Sequence, residues 1–171
     1  MKRPIKLNSQ DFTTNYINLT EGDSLSESLL ESQLQFEVLF ESISEDDGNY
    51  KYKKDKWTIK QVLLHIIDVE RLFVARALKI SRDKNSKIIG FDEDLYAEND
   101  CSDKLSLEQL KQDFLLVRNS TISFFNTLDS TVLDNEVQSS VLLTPRIIGW
   151  LISGHSIHHF NVIKERYLEI I

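Results

Sequence analysis

An all-α protein, folded as a four-helix bundle, is what this sequence predicts, and three observations predict it. Apolar residues recur at three- and four-residue intervals along four long stretches, which places them on one face of a helix. Each stretch opens on a helix-capping signal. Glycine and proline, which break helices, number only five and two in 171 residues. No stretch alternates with period two for long enough to suggest a sheet.

The elements follow in order. Residues 1–23 read as an extended N-terminal arm, and residues 24–171 as the bundle domain. The first helix is expected over 25–44. Ser24 caps it with Glu27 as a capping box, and Leu25, Leu29, Phe36, Phe40 and Ile43 form its buried stripe. It ends before the polar run Glu45-Asp46-Asp47-Gly48-Asn49. The second, over 58–80, is capped by Thr58 with Gln61, and Trp57 and Val62 occupy the hydrophobic-staple positions. Its stripe is Val62, His65, Val69, Leu72, Phe73 and Ile80. Residues 81–103 form a long connection containing Phe91-Asp92-Glu93-Asp94-Leu95-Tyr96, and loops of that length inside a compact domain are often functional.

The third helix, over 106–128, is capped by Ser106 with Gln109 and stapled by Leu105 and Leu110. It carries Leu107, Leu110, Phe114, Val117, Thr121, Phe125 and Leu128 on one face. The fourth, over 145–168, opens at Thr144 with Pro145 at the first helical position, where a missing N–H costs nothing. Leu143 faces Ile148 as a staple, and Ile148, Leu151, Ile152, Val162 and Ile163 make the stripe. Four amphipathic helices of this length pack as a bundle, and a bundle core can hold metal ligands from facing helices.

Composition excludes several function classes. Net charge is -7 and the sequence pI is about 5.1, a balance that argues against nucleic acid and anionic membrane as partners. No apolar stretch approaches the roughly 20 residues that span a bilayer. The start, Met1-Lys2-Arg3-Pro4-Ile5, resembles no signal peptide, so the cytoplasm is the expected compartment. Cys101 is the one cysteine, which rules out an internal disulfide and a multi-thiolate metal site. Trp150 and Ile157, read as exposed apolar positions, suggest a homodimer.

The histidines carry the chemistry. Three of the four lie in Gly154-His155-Ser156-Ile157-His158-His159. His155 and His159 stand four residues apart, so on a helix their rings leave one face about a turn apart, a spacing that lets two imidazoles grip one metal ion. The fourth, His65, lies on the apolar face of the second helix. Burying three imidazoles without partners is expensive, and one ion satisfies a nitrogen on each ring at once. His65, His155 and His159 are therefore the expected ligands of a divalent ion, with His158 outside the set. Zinc is the default, while nickel, manganese and iron accept the same nitrogens.

Two further residues near His65 are candidates for catalysis. Asp68, one turn on at the stripe's edge, is either a solvated carboxylate or a group that handles a proton beside the metal. Arg76, three turns on near the stripe's centre, must snorkel or meet a carboxylate. Pairing with Asp92 or Asp94 is the first reading of Arg76, and binding of a substrate anion the second.

The run Lys56-Trp57-Thr58-Ile59-Lys60-Gln61-Val62-Leu63-Leu64-His65-Ile66-Ile67-Asp68-Val69-Glu70-Arg71 resembles the second-helix signature of the DinB-like (damage-inducible) metalloprotein superfamily. Gly154-His155-Ser156-Ile157-His158-His159-Phe160 resembles its closing His-x-x-x-His helix, and Phe91-Asp92-Glu93-Asp94-Leu95-Tyr96 is similar to one branch of it. The resemblance covers roughly residues 24–168. It implies a four-helix bundle with a divalent metal on three histidines, which map onto His65, His155 and His159. Members include bacillithiol and mycothiol S-transferases, a thiol-using maleylpyruvate isomerase, and proteins assigned as metal-dependent hydrolases from the site alone. The expectation is an enzyme acting on a small molecule, in which the ion activates a water or a low-molecular-weight thiol. The alternative is a non-catalytic metal-binding stress-response protein with a structural ion, distinguished by a fourth protein ligand such as Cys101 or His158.

Overall fold

The computed structural model describes residues 1–5, 7 and 11–168. Residues 6 and 8–10 of the expected arm, and 169–171 of the expected bundle domain, lie outside the described residues. The order is α1 (Phe12–Ile17), α2 (Leu25–Ser42), α3 (Glu45–Gly48), α4 (Ile59–Arg82), α5 (Glu93–Glu98), α6 (Leu107–Thr127) and α7 (Pro145–Ile163). The capping boxes at Ser24, Thr58 and Ser106 are formed, and the Thr144 hydroxyl accepts from the Ile147 N–H at 3.0 Å.

The four long helices make the bundle. α2 and α4 each pack against both α6 and α7, so α2 faces α4 across the diagonal, and α6 faces α7. Helices consecutive in the bundle are therefore not all neighbours, unlike a simple up-and-down arrangement. The apolar interior falls into two halves. One gathers Leu25, Leu29, Phe73, Ile80, Phe125, Ile148 and Trp150; the other gathers Phe36, Phe40, Ile59, Leu63, Leu110, Phe114 and Ile163. Between them runs a buried polar belt that includes Ser32, Glu70, Arg118, Ser153, His155 and Ser156.

Several expectations are corrected. Within the arm read as extended, Phe12–Ile17 form a helix that packs on α7. Its backbone rests on Gly154, where a Cβ would collide with the Tyr16 carbonyl oxygen. Trp150 and Ile157 are buried rather than exposed. The N-terminal residues cover Trp150: its Nε1–H donates to the Lys2 carbonyl at 3.1 Å, and the Arg3 guanidinium lies 4.4 Å from its ring centroid. That removes the premise for a homodimer through these positions. On α6 the core position falls to Arg118, fully buried, while Val117 is half-buried; Leu72, Leu128 and Val162 are half-buried too. The connection after α4 holds the short helix α5.

A two-residue antiparallel ladder, Val137–Gln138 (β1) against Leu142–Leu143 (β2), leads into α7, and Ile147 to Ile152 are helical. α7 runs on into a π turn, Lys164–Leu168, which buries Tyr167. Among the described residues, no helix is long and apolar enough to cross a membrane.

Candidate metal centre

α4 and α7 are the most closely packed pair of helices, and the histidines face each other across that contact. His65 comes from the first half of α4, His155 and His159 from successive turns of α7. The Nε2 of His155 lies 3.2 Å from the Nε2 of His65 and 3.1 Å from that of His159. One ring nitrogen of each of the three falls within 4.8 Å of the others.

Aromatic rings wall the cluster. Trp57 stacks on His65 at 4.9 Å between centroids, Phe73 meets His155 at 6.2 Å, and Tyr16 meets His155 at 5.7 Å. The Tyr167 hydroxyl donates to the Trp57 carbonyl at 2.8 Å, so the π turn fixes the residue that carries the ring over His65. Gly154 performs the same service on the other side, because it lets α1 approach closely enough to place Tyr16.

Burial pushes the His65 imidazole down to about 4. Burial, then the neighbouring His65 and His158, take His159 down to about 3. His155 lies well below its ordinary value, through burial and then repulsion from His159, His65 and His158. The rings are therefore neutral near pH 7, and each Nε2 is either a donor or a lone pair. The His155 Nε2 can donate to only one neighbour, and as an acceptor it has one in-plane lone pair for two donors. Hydrogen bonding among the rings thus leaves at least one contact unmet. Three inward lone pairs around a cation satisfy all three nitrogens, so the donor set fits a divalent metal of the zinc type.

A cleft reaches His65 between α4 and α5, lined by Gln61, Asp68, Val69, Phe91 and Tyr96 among others. Asp68 accepts from Arg71 at 3.3 Å, and Arg71 also pairs with Asp113. Burial raises the Asp68 carboxyl above its usual range; Arg71 opposes this, and Asp113 and Asp100 add to it. His158 lies outside the cluster, its ring 5.2 Å from Tyr16 and 5.0 Å from His159. Cys101 is exposed and outside it as well. Arg76 does not pair with Asp92 or Asp94. Asp92 instead caps α5, accepting from the Asp94 and Leu95 N–H groups at 3.1 Å each.

The family model of the DinB superfamily matches residues 29–163. The chain belongs to the DinB superfamily. Among solved structures it is similar to YfiT from Bacillus subtilis, described as "a probable metal-dependent hydrolase with an unusual four-helix bundle topology". The identity is 18%, the TM-score 0.72, and the match covers 98% of this chain and 93% of that one. The likeness establishes the fold. No curated protein matches this chain. The matched span holds all three clustered histidines of this DinB-superfamily chain, His65, His155 and His159, together with a second buried cluster that the helical stripes did not reveal.

That cluster centres on Arg118 and Glu70. Arg118 Nε donates to Glu70 at 3.0 Å, and Nη2 to Glu70 and Ser156 at 2.8 and 2.9 Å. Nη1 donates to the Leu29 carbonyl at 2.8 Å and to Ser32. All five N–H groups are used, and the pair is sealed from solvent. A signal for it exists in the sequence: Ile66, Glu70, Phe73, Ala77 and Phe114, Arg118, Thr121, Phe125 each follow heptad-like spacing through a charged residue.

Proposed function

We propose that this protein is a metal-dependent enzyme acting on a small molecule, with His65, His155 and His159 holding one divalent ion, zinc by default, beside the narrow cleft between α4 and α5. The observation that carries this reading is the convergence of three neutral ring nitrogens, with no fourth histidine, cysteine or carboxylate joining them among the described residues. Three protein ligands and an open position are the catalytic pattern; structural zinc sites usually close with four.

An ion so held supplies positive charge that draws the pKa of a bound water or small thiol toward neutrality. The chain's own residues do the rest. Trp57, Phe73 and Tyr16 exclude bulk water from the buried side. Asp68, on the cleft wall with a raised carboxyl pKa, accepts the proton released by the nucleophile and returns it to the leaving group. Transfer of a low-molecular-weight thiol to an electrophile and hydrolysis both fit this arrangement.

The competing reading is a structural ion that pins α4 to α7 in a non-catalytic stress-response protein. Burial of His65 and His155 favours it. Elemental analysis of protein purified without a nickel column decides whether an ion is held, with one equivalent expected. Turnover of generic electrophiles with a small thiol, and of hydrolase substrates, then separates the readings. Metal at full occupancy with no turnover across that screen replaces the enzyme by the structural site.

A further inference from the structure

The cleft at His65 is too small for a substrate as it stands. Its free volume is about 10 Å³, the room of a single water. Beside it lies an open hollow of about 670 Å³, lined by Arg71, Leu95, Cys101 and Asp113 among others. Leu64, Asp68, Tyr96 and Asp100 line both spaces, so these four residues stand between them. Leu64 and Asp68 belong to the long helix α4, whereas Tyr96 and Asp100 come from the connection that follows it.

The movable part of that partition is α5. Its six residues are too few for a helix to stand alone, and of them only Ala97 is buried. Tyr96 keeps 45% of its surface exposed and is braced by the Phe91 ring, 5.2 Å away between centroids. Side chains of α4 tie the segment at both ends. Arg76 Nη2 donates to the Ile89 carbonyl at 2.8 Å, and Gln61 Nε2 to the Ala97 carbonyl at 3.1 Å. Water replaces such bonds on opening at little net cost. An element that buries so little apolar surface undocks far more readily than the bundle unfolds.

We propose that α5 is a lid over the metal centre and that Tyr96 is its gate, a specificity residue that keeps molecules larger than water from the histidines until the lid lifts. The inference rests on the metal-site reading above. With α5 down, the cleft leaves room for one water beside His65. With α5 raised, Tyr96 leaves the partition, and cleft and hollow become one space that accepts a small molecule with its reacting end toward His65. Asp68 borders both spaces, so it faces the substrate as well as the nucleophile. The competing route runs along α7, where His159 is only half-buried.

The test uses cobalt-substituted protein, in which a thiolate on the ion is read by its absorption. Association rates are measured for hydrosulfide, close to water in size, and for the bulkier 2-mercaptoethanol. Tyr96→Ala opens the partition without moving the lid. A lid raised for about a tenth of the time or less slows a bulky ligand by that factor. Tyr96→Ala is therefore expected to bind 2-mercaptoethanol about tenfold faster than wild type or more, with the hydrosulfide rate unchanged. Leu95→Ala, at a residue that lines the outer hollow alone, should alter neither rate. Hydrogen exchange of the metal-free wild type gives an independent reading, in which α5 amides should exchange much faster than those of α4 around His65. No gain for 2-mercaptoethanol in Tyr96→Ala, an equal gain for both thiols, or α5 amides as protected as those of α4 overturns the lid while the metal site stands. Failure to bind cobalt overturns the metal site and the lid with it.

Discussion

Two polar clusters lie in the buried middle of this bundle, and they differ in whether their hydrogen bonding closes. Around Arg118, five donors meet the carboxylate of Glu70, two hydroxyls and a carbonyl, drawn from α2, α4 and α7. Nothing is left over for a ligand. Around His155, the Nε2 atoms of His65 and His159 lie 3.2 and 3.1 Å from its own Nε2, and no distribution of protons satisfies both contacts. Both are costly to bury, but only the second is incomplete without something from outside. Burial of polar groups therefore does not mark a site. Failure of the group to satisfy itself does.

The difference predicts opposite responses to truncation. Glu70→Ala leaves the Arg118 guanidinium buried without its counter-ion, and loss of one partner of such a pair costs about 3–5 kcal/mol. The variant should lose most of its folding cooperativity, read as a large fall in Tm. The double change Glu70→Leu with Arg118→Met should recover much of that loss, because an apolar pair of similar volume avoids the desolvation cost. A Glu70→Ala protein as stable as wild type would show that the closed network is not the keystone described above.

His155→Ala should do the reverse. It removes one of three convergent nitrogens and relieves the unmet contacts, so the metal-free protein should keep its stability within about 1 kcal/mol of wild type. Metal affinity should fall by more than the roughly 10–100-fold that loss of a mere supporting partner costs. His158→Ala should leave stoichiometry unchanged. Elemental analysis with thermal unfolding checks both variants, and an unfolded His155→Ala protein would make the two clusters alike.

The boundary between the clusters and the solvent can be tested at Gly154. A methyl group there meets the Tyr16 carbonyl, so Gly154→Ala must push α1 away from α7. Overpacking of this kind costs about 1–3 kcal/mol. The amides of α1 and of the His155 turn should exchange faster with deuterium, whereas those around Arg118 should not.

Much of this was legible from residue spacing. The four long helices, their capping boxes and the meeting of His65 with His155 and His159 follow from periods of three and four and from Ser, Thr, Glu and Gln at the right offsets. What escaped were features decided by tertiary contact. The Phe12–Ile17 helix has too few residues to stand alone, and it is held by docking onto Gly154. Trp150 looks exposed in the sequence because Lys2 and Arg3, which cover it, are 147 or more positions away in the chain. On the α6 stripe hydrophobicity favours Val117, and only Glu70, on α4, makes Arg118 admissible at the buried position. Arg76 is the opposite case: carboxylates close by in the sequence suggest a pair, whereas in the fold Asp92 caps α5 and Arg76 donates to the Ile89 carbonyl.

The smallest effect comes from a third polar pair, at the surface, which sets the scale for the other two. Glu45 accepts from the buried Lys60 ammonium at 2.7 Å and from the Leu107 N–H at 2.6 Å, where α6 begins. The Lys60 hydrogen bond, then the Leu107 N–H, hold the Glu45 carboxyl below its ordinary value of 4.5, against a small opposing effect of burial. A carboxyl whose folded value is depressed adds stability above the unfolded value and loses it as pH falls through the folded value. Wild type should therefore exceed Glu45→Gln in stability near pH 7, and the gap should close progressively as the solution is acidified below about 4.5. Because Glu45 is more than half exposed, the gap at neutral pH should not exceed about 1 kcal/mol. Denaturant midpoints of both proteins at pH 7, 5, 4 and 3 measure it. A gap that widens with acid would reverse the sign argued here, and one as large as the Glu70→Ala loss would mean that water, not closure of the hydrogen bonding, is the wrong axis on which to separate the polar clusters of this bundle.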